Sequence, residues 1–264
     1  MIIDGRKMAA DVLARTKERA QKLSHRPKVL VYVAPNETQA TRSYLKMKAR
    51  SAEAAGCDFE ETRSLPSSIH ADAFIVQLPL PSSMNTAEIL DSIPIMQDAD
   101  VLSRDAREKF ERGEADALFP PVVGAIREIF LQHNVDPKAK NAVVVGAGFL
   151  VGAPTASWLK QQNAKVEIIT LESGDLVAAL RAADIVVSGA GSPRLIKPSM
   201  LKEGVVLIDA GTSESGGMIV GDADPSCADT CSLFTPVPGG VGPLAVAKLF
   251  ENVISLTEMN SGDH

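Results

Sequence analysis

Hydrophobic and polar positions along the chain follow two periods, and their alternation predicts an α/β protein. Segments with the 3.6-residue period of an amphipathic helix span residues 6–23, 43–55 and 122–131. Expected strands lie at residues 28–33, 57–62, 73–78, 142–145, 165–170, 183–191 and 205–211, and most of them are short apolar runs typical of buried strands. Because strands that alternate with helices usually pair in parallel, we expect parallel sheets.

One connection is too short for this alternation. Only about ten residues separate the strand at 57–62 from the strand at 73–78, whereas a parallel crossover takes about a dozen or more. We therefore expect a loop or a single turn between these two strands, without a helix.

Residues 142–152 predict a dinucleotide-binding turn. A run of three valines ends at Gly146 and Gly148, and an apolar helical segment follows from Leu150. Such a turn directs backbone N–H groups and a helix N-terminus at a pyrophosphate. The spacing G-x-G-x-x-x-G is one residue longer than the common fingerprint, so an ordinary strand-to-helix turn is the alternative interpretation.

Three further features place a nucleotide crevice at the same sheet edge. Glu172 lies 20 residues beyond Gly152, where such folds place an acid on the ribose hydroxyls. The strands at 183–191 and 205–211 also end in glycines, and the carboxyl ends of parallel strands share one edge. The alternative for Glu172 is a side chain that points into solvent at the strand end.

Composition excludes several classes of protein. The 264 residues carry a net charge of −6 with no basic run, which argues against nucleic-acid binding. No apolar run reaches the roughly 18 residues of a membrane span, and the amino terminus has no signal-peptide layout. Three cysteines and four histidines show no metal-ligand spacing. We therefore expect a cytoplasmic protein with reduced thiols and no metal.

Two positions in the first half of the chain are candidates for chemistry. Tyr44 and Lys48 are four residues apart on a predicted helix and therefore share one face. Ordinary amphipathic packing with an extended lysine is the alternative interpretation. Gln77 interrupts an apolar strand just before Leu78, so its amide is either satisfied by hydrogen bonds or lines a site.

These residues resemble the methylenetetrahydrofolate dehydrogenase/cyclohydrolase family. Its proline-rich signatures match residues 76–81 (V-Q-L-P-L-P) and 235–243 (T-P-V-P-G-G-V-G-P), and its helix motif matches Tyr44-x-x-x-Lys48. Residues 2–5 and the segments at Gly211 and 220–222 also fit. The resemblance implies oxidation of 5,10-methylenetetrahydrofolate by NAD(P), followed by hydrolysis of the methenyl product to 10-formyltetrahydrofolate.

The resemblance also implies roles for individual residues. Lys48 is the central acid/base residue, Gln77 tunes it through a hydrogen bond, Tyr44 stacks on the folate rings, and Asp100 holds the pterin. The other implied folate-binding residues are Leu78, Pro238 and Gly239. The expected cofactor-binding residues are Gly146, Ala147, Gly148, Phe149, Leu150, Glu172, Gly189, Ala190, Gly191, Gly211, Thr212 and Gly240.

The chain departs from the family pattern around the pterin. The family's K-D-V-D-G-F appears as Q-D-A-D-V-L at residues 97–102, and its P-C-T-P-x-G appears as F-P-P-V-V-G at 119–124. Two alternatives therefore stay open: a non-catalytic folate- or nucleotide-binding descendant, and a two-domain dehydrogenase of the shikimate type.

We expect two α/β domains that face each other across a cleft. The first spans residues 1–121 and is completed by a C-terminal helix from residue 243, which packs back on it. The second, residues 122–242, is a doubly wound nucleotide-binding domain of the Rossmann type. The resemblance further implies a homodimer.

The acidic surroundings of the second strand favour NAD over NADP. No cation lies at residues 146–148 or between residues 166 and 175, whereas Glu167, Glu172 and Asp175 are acidic. An arginine that reaches the site from elsewhere, such as Arg181 or Arg194, is the alternative.

Overall fold

The computed structural model describes residues 1–35, 37–170, 174–215 and 218–261, and the chain divides into two compact units. The first unit comprises residues 9–121 and 246–264, and the second comprises residues 1–8 and 122–245. We expected the whole amino terminus in the first domain. Its first residues instead extend a sheet of the second unit, where the Ile3 N–H donates to the Phe234 carbonyl at 2.9 Å.

Helices and strands alternate in the first unit. They are α1 (Gly5–Ala20), β1 (Lys28–Tyr32), α2 (Gln39–Ala55), β2 (Asp58–Thr62), β3 (Ala73–Val76), α3 (Thr86–Asp91) and α4 (Arg104–Glu111). Among the described residues of this unit, the strands form a parallel sheet in the order β2-β1-β3. Residues 63–72 contain no helix, which confirms the expected loop. All four residues of β3 are buried, and Gln77, which follows them directly, is 9% exposed.

The second unit contains the doubly wound sheet that the sequence predicts. Its elements are α5 (Pro121–Gln132), β4 (Asn141–Val145), α6 (Gly152–Gln161), β5 (Lys165–Ile169), α7 (Leu176–Ala182), β6 (Ile185–Ser188), β7 (Val206–Asp209), β8 (Ser213–Ser215), β9 (Met218–Val220) and β10 (Leu233–Phe234). The last helix, α8 (Val241–Ser261), begins in this unit, and its residues from 246 onward belong to the first unit. Over the described ranges the parallel strand order is β10-β7-β6-β4-β5, with β8 and β9 as a separate antiparallel pair. The winding reverses between β4 and β6, and open α/β sheets bind ligands at such a switch point.

The C-terminal helix α8 completes the core of the first unit, as predicted. Leu249, Phe250 and Val253 are almost fully buried in one apolar cluster with residues of α2, β1 and β3. At the surface of the same contact, the Arg19 guanidinium donates to Glu258 Oε2 at 2.6 Å. None of the described helices is long and apolar enough to cross a membrane.

Candidate active site

Helix α2 carries Tyr44 and Lys48 because local signals fix both of its ends. The Thr38 hydroxyl accepts the Thr41 N–H at 3.1 Å, which satisfies one free donor at the helix start. Gly56 ends the helix in the left-handed conformation, with φ at 84°. Between these caps, Tyr44 and Lys48 are one turn apart and both half-buried.

Lys48 faces Asp100 within the first unit. The Lys48 Nζ lies 3.9 Å from Asp100 Oδ2, and the two side chains are 12% and 19% exposed. Burial raises the pKa of Asp100 above its ordinary value, while the charge of Lys48 acts in the opposite direction. The structure therefore brings together two residues that the sequence assigned to separate roles.

Contrary to the prediction, Gln77 does not form a hydrogen bond with Lys48. Its Nε2 donates to the backbone carbonyl of the next residue, Leu78, at 2.7 Å. This neighbouring carbonyl is therefore the acceptor that engages the amide N–H. An exchange of the amide O and N would set two acceptors against each other, so this orientation is fixed. The Gln77 Oε1 is buried and accepts no hydrogen bond from a described residue. It therefore suits a ligand that offers an N–H or O–H group.

A buried aspartate shapes the loop that presents Asp100. Asp98 is 1% exposed, and its carboxylate accepts the N–H groups of Leu102 at 2.9 Å and Ser103 at 2.7 Å. The amide of Asn252 on α8 donates to the carbonyls of Ala99 and Phe119, both at 2.9 Å. Asp98 and Asn252 therefore fix the backbone on both sides of Asp100.

The two departures from the family motif have local explanations. Gln97, in the place of the lysine, donates to the Ala71 carbonyl at 2.6 Å and so fixes the loop before β3. Val101, in the place of the glycine, has φ of 57°, a region that costs an L-residue about 1–2 kcal/mol. Its side chain is 2% exposed, and burial of a valine contributes about 1.5–3 kcal/mol, which offsets that cost.

Glycines let backbone segments approach one another at the edge of the second sheet. Gly146 has φ of 95°, and a Cβ there would lie 2.9 Å from the Gly189 carbonyl oxygen. A Cβ on Gly152 would lie 2.0 Å from the Gly146 oxygen. The turn after β4 can therefore close over the start of α6 only with glycine at these positions.

A pocket of about 420 Å³ opens at the carboxyl ends of β4, β5 and β6. Its lining combines glycine backbone with apolar side chains, which suits a pyrophosphate and a flat base. The lining residues are Val145, Gly146, Ala147, Gly148, Ile169, Thr170, Leu176, Gly189, Ala190 and Leu195. Leu176 and Leu195 were not predicted from the sequence, because each lies in the segment beyond a strand end and not in the glycine turn.

Other predicted cofactor residues lie outside this lining. Phe149 and Leu150 are 39% and 46% exposed. Gly211 packs on Asp222, since a Cβ there would lie 2.2 Å from the carboxyl carbon. Gly240 packs on the chain start, where a Cβ on Gly5 would lie 1.8 Å from the Gly240 oxygen. Gly191 and Thr212 follow β6 and β7, and Glu172 lies outside the described residues.

Asp209, at the end of β7, was missed at the sequence level. It is 1% exposed, and its carboxylate accepts N–H groups from Gly211 at 3.0 Å, Asp222 at 3.2 Å and Ala223 at 2.8 Å. Burial raises the pKa of Asp209 to about 6. Apolar residues precede this acid in the strand, and that abrupt change was the available signal.

Comparison with known proteins decides the family. The profile of the tetrahydrofolate dehydrogenase/cyclohydrolase NAD(P)-binding domain matches residues 120–261. The chain belongs to the tetrahydrofolate dehydrogenase/cyclohydrolase family. Bifunctional protein FolD of Hydrogenobaculum sp. is 35% identical to it over 270 residues, which cover 96% of this chain and 97% of that protein. FolD of Wolinella succinogenes is 33% identical over 274 residues, at 96% and 95% coverage.

Solved structures of the family share the fold over the full length. The bifunctional FolD enzyme of Campylobacter jejuni matches with a TM-score of 0.93 and 28% identity, over 98% of this chain and 99% of that one. The Trypanosoma brucei enzyme, solved with NADP and an inhibitor, gives a TM-score of 0.92 and 26% identity, over 99% and 98%. The resemblance inferred from the sequence motifs is confirmed, and residues 120–261 are the family's NAD(P)-binding domain.

Asp209 predicts a pH dependence of stability. Its pKa is raised from 3.8 to about 6 on folding, so the native state binds the extra proton and gains stability as the pH falls through 6. Between pH 7 and pH 5 the gain is about 1 kcal/mol. Urea unfolding of the parent and of Asp209→Asn at both pH values measures it. The parent is expected to gain about 1 kcal/mol relative to the variant, and equal pH dependence would contradict the raised pKa.

Proposed function

We propose that this chain oxidises 5,10-methylenetetrahydrofolate with NAD(P) and hydrolyses the methenyl product to 10-formyltetrahydrofolate. The observation that carries the proposal is the half-buried Lys48, which has Tyr44 one helical turn away and Asp100 at 3.9 Å. The family membership of the whole chain supports it, since the named relatives are bifunctional FolD proteins.

The side chains of the first unit suit this chemistry. NAD(P), when bound, would supply the hydride acceptor, and hydride loss would leave a delocalised cation on the folate. Tyr44 offers a flat aromatic face to the folate rings. Lys48 exchanges a proton with the water that attacks the methenyl carbon. The 3.9 Å between Lys48 and Asp100 is too long for a hydrogen bond, so both groups keep hydrogen-bonding capacity for substrate.

Asp100 and Gln77 supply complementary acceptors for the pterin. A carboxylate can accept hydrogen bonds from the amino and ring N–H groups of a pterin. The buried Oε1 of Gln77 gives a second acceptor, and the Leu78 carbonyl holds the Gln77 amide in place. In the second unit, Pro238 and Gly239 form the turn before α8, and the folate contact that the resemblance implies for them stays a prediction.

The retained side chains argue against a non-catalytic descendant. A protein that only binds folate has no need of an acid/base lysine, yet Tyr44, Lys48 and Gln77 are all present. The shikimate-type alternative is set aside by the family assignment.

Turnover assays on the parent and on Lys48→Met test the proposal. Methenyl formation from methylenetetrahydrofolate and the later loss of the methenyl absorbance report the two steps. Lys48→Met is expected to lower methenyl hydrolysis at least tenfold, because it removes the amine that is proposed to exchange a proton with the attacking water. Lys46→Met is the matched control, since Lys46 lies on the same helix and is exposed. Hydrolysis by Lys48→Met above a tenth of the parent rate would show that Lys48 is not the acid/base residue.

Asp100→Ala tests the pterin contact. The variant is expected to weaken folate binding at least tenfold, because it removes charge-assisted hydrogen bonds to the ring, and to leave NAD(P) affinity unchanged. Titration calorimetry with each ligand separates the two effects. Asp105→Ala, an exposed carboxylate at the start of α4, is the control. Parent-like folate affinity in Asp100→Ala would mean that the altered motif marks another pocket.

We propose further that the enzyme prefers NAD to NADP. The pocket reaches Thr170 at the end of β5, and Glu172 follows two residues later in the sequence. A ribose diol donates hydrogen bonds to a carboxylate, whereas a 2′-phosphate meets like charge. No lysine or arginine occurs between residues 166 and 175 to offset that charge.

The ratio of kcat/KM for NAD to that for NADP, at saturating folate, tests this preference. The parent is expected to favour NAD, and Glu172→Ala to reduce the ratio. Glu167→Ala is the control, because Glu167 is exposed on β5. A parent that favours NADP tenfold, or a Glu172 variant with the parent's ratio, would disprove the preference.

We also propose a homodimer, for which sedimentation would give twice the 27.9 kDa chain mass.

A further inference from the structure

A fully buried aspartate holds the loop that follows β6. Asp222 has no exposed surface. Its Oδ2 accepts the Ser188 hydroxyl and the Ala190 N–H, both at 2.7 Å, and its Oδ1 accepts the Ser192 N–H at 2.8 Å. One carboxylate therefore binds both the end of the strand and the turn beyond it.

The same loop forms one wall of the nucleotide pocket. Gly189 and Ala190 line that pocket, as does Leu195 further along. The Gly189 carbonyl also faces Gly146, at a distance that leaves no room for a Cβ on that glycine. The conformation of residues 189–192 therefore sets the width between the turn after β4 and the turn after β6.

The position of Asp222 is itself fixed from several sides. Its backbone N–H donates to Asp209 at 3.2 Å, and its carbonyl accepts the Ile196 N–H at 2.9 Å. Gly211 faces the carboxyl group, where a Cβ would lie 2.2 Å from the carboxyl carbon. The carboxylate therefore lies in a rigid pocket of its own and has little freedom to follow the loop.

We propose that Asp222 is a positioning residue for NAD(P), which holds residues 189–192 in the shape that receives the cofactor. The inference rests on the proposed use of NAD(P) as cofactor. Asp222 is not among the residues that line the pocket, and its oxygens are engaged by protein donors. It therefore acts on affinity through preorganisation, because a loop already ordered loses less conformational freedom when the cofactor binds.

The test is Asp222→Asn, measured first by NAD and NADP binding without folate. The asparagine keeps the shape but sets an N–H group against backbone N–H donors. Cofactor Kd and KM are expected to rise at least tenfold, while kcat at saturating cofactor stays within about threefold and KM for folate within twofold. Asp224→Asn is the matched control, because Asp224 is also an aspartate that accepts a backbone N–H, that of Ser226 at 3.1 Å. Parent-like cofactor affinity in Asp222→Asn would overturn the proposal.

Ser188→Ala separates positioning from stability. It removes one donor from Asp222 but leaves the two loop N–H bonds in place. Its thermal midpoint is expected to fall while cofactor Kd stays within twofold of the parent. If Ser188→Ala weakened cofactor binding as much as Asp222→Asn, affinity would follow stability alone, and the positioning role would be wrong.

Hydrogen exchange in the parent protein covers the case in which Asp222→Asn does not fold. The N–H groups of Ala190 and Ser192 are expected to exchange at least a hundredfold more slowly than in the unfolded chain, with no cofactor present. Exchange close to the unfolded rate would overturn the proposal. A parent that binds NAD(P) but does not turn over methylenetetrahydrofolate would defeat the proposed function and leave this inference intact.

Discussion

Backbone N–H groups at tight turns need acceptors when water cannot reach them, and buried aspartates meet that need in this protein. Asp98 accepts the N–H groups of the loop that carries Asp100. Asp209 and Asp222 accept those of the turns after β7 and β6. A carboxylate has two oxygens and about four lone pairs, so one residue can fix several turns at once. The geometry of both candidate sites depends on these acceptors.

Asp209 and Asp222 also need space, and glycines provide it. A Cβ on Gly211 would lie 2.2 Å from the carboxyl carbon of Asp222, and one on Gly221 would lie 2.1 Å from Asp209 Oδ2. These glycines serve packing, and they are distinct from Gly146, which needs its left-handed conformation. The segments that resemble the family at Gly211 and 220–222 therefore pack directly against each other.

The sequence predicted whatever depends on local periodicity or on a continuous motif. The strands, the helix that carries Lys48 and the turn at Gly146 follow from apolar runs and glycine spacing, and the structure contains all of them. Contacts between distant parts of the chain were not predictable. Asp222 bonds to Ser188, 34 residues away, and the apolar run that contains Ser188 does not indicate its partner. The amide of Gln77 was assigned to Lys48 because nothing in the sequence shows that the Leu78 carbonyl is closer.

The path of the chain between the two units has a consequence for synthesis. Residues 1–8 belong to the second unit, yet the rest of that unit begins at residue 122. The first unit likewise lacks part of its core until residues such as Phe250 and Val253 have been made. A nascent chain of residues 1–121 therefore has an incomplete apolar core, and its first segment has no partner strand yet. Neither unit corresponds to one contiguous fragment, but all residues of the second unit have been made by residue 245, before the segment that completes the core of the first unit.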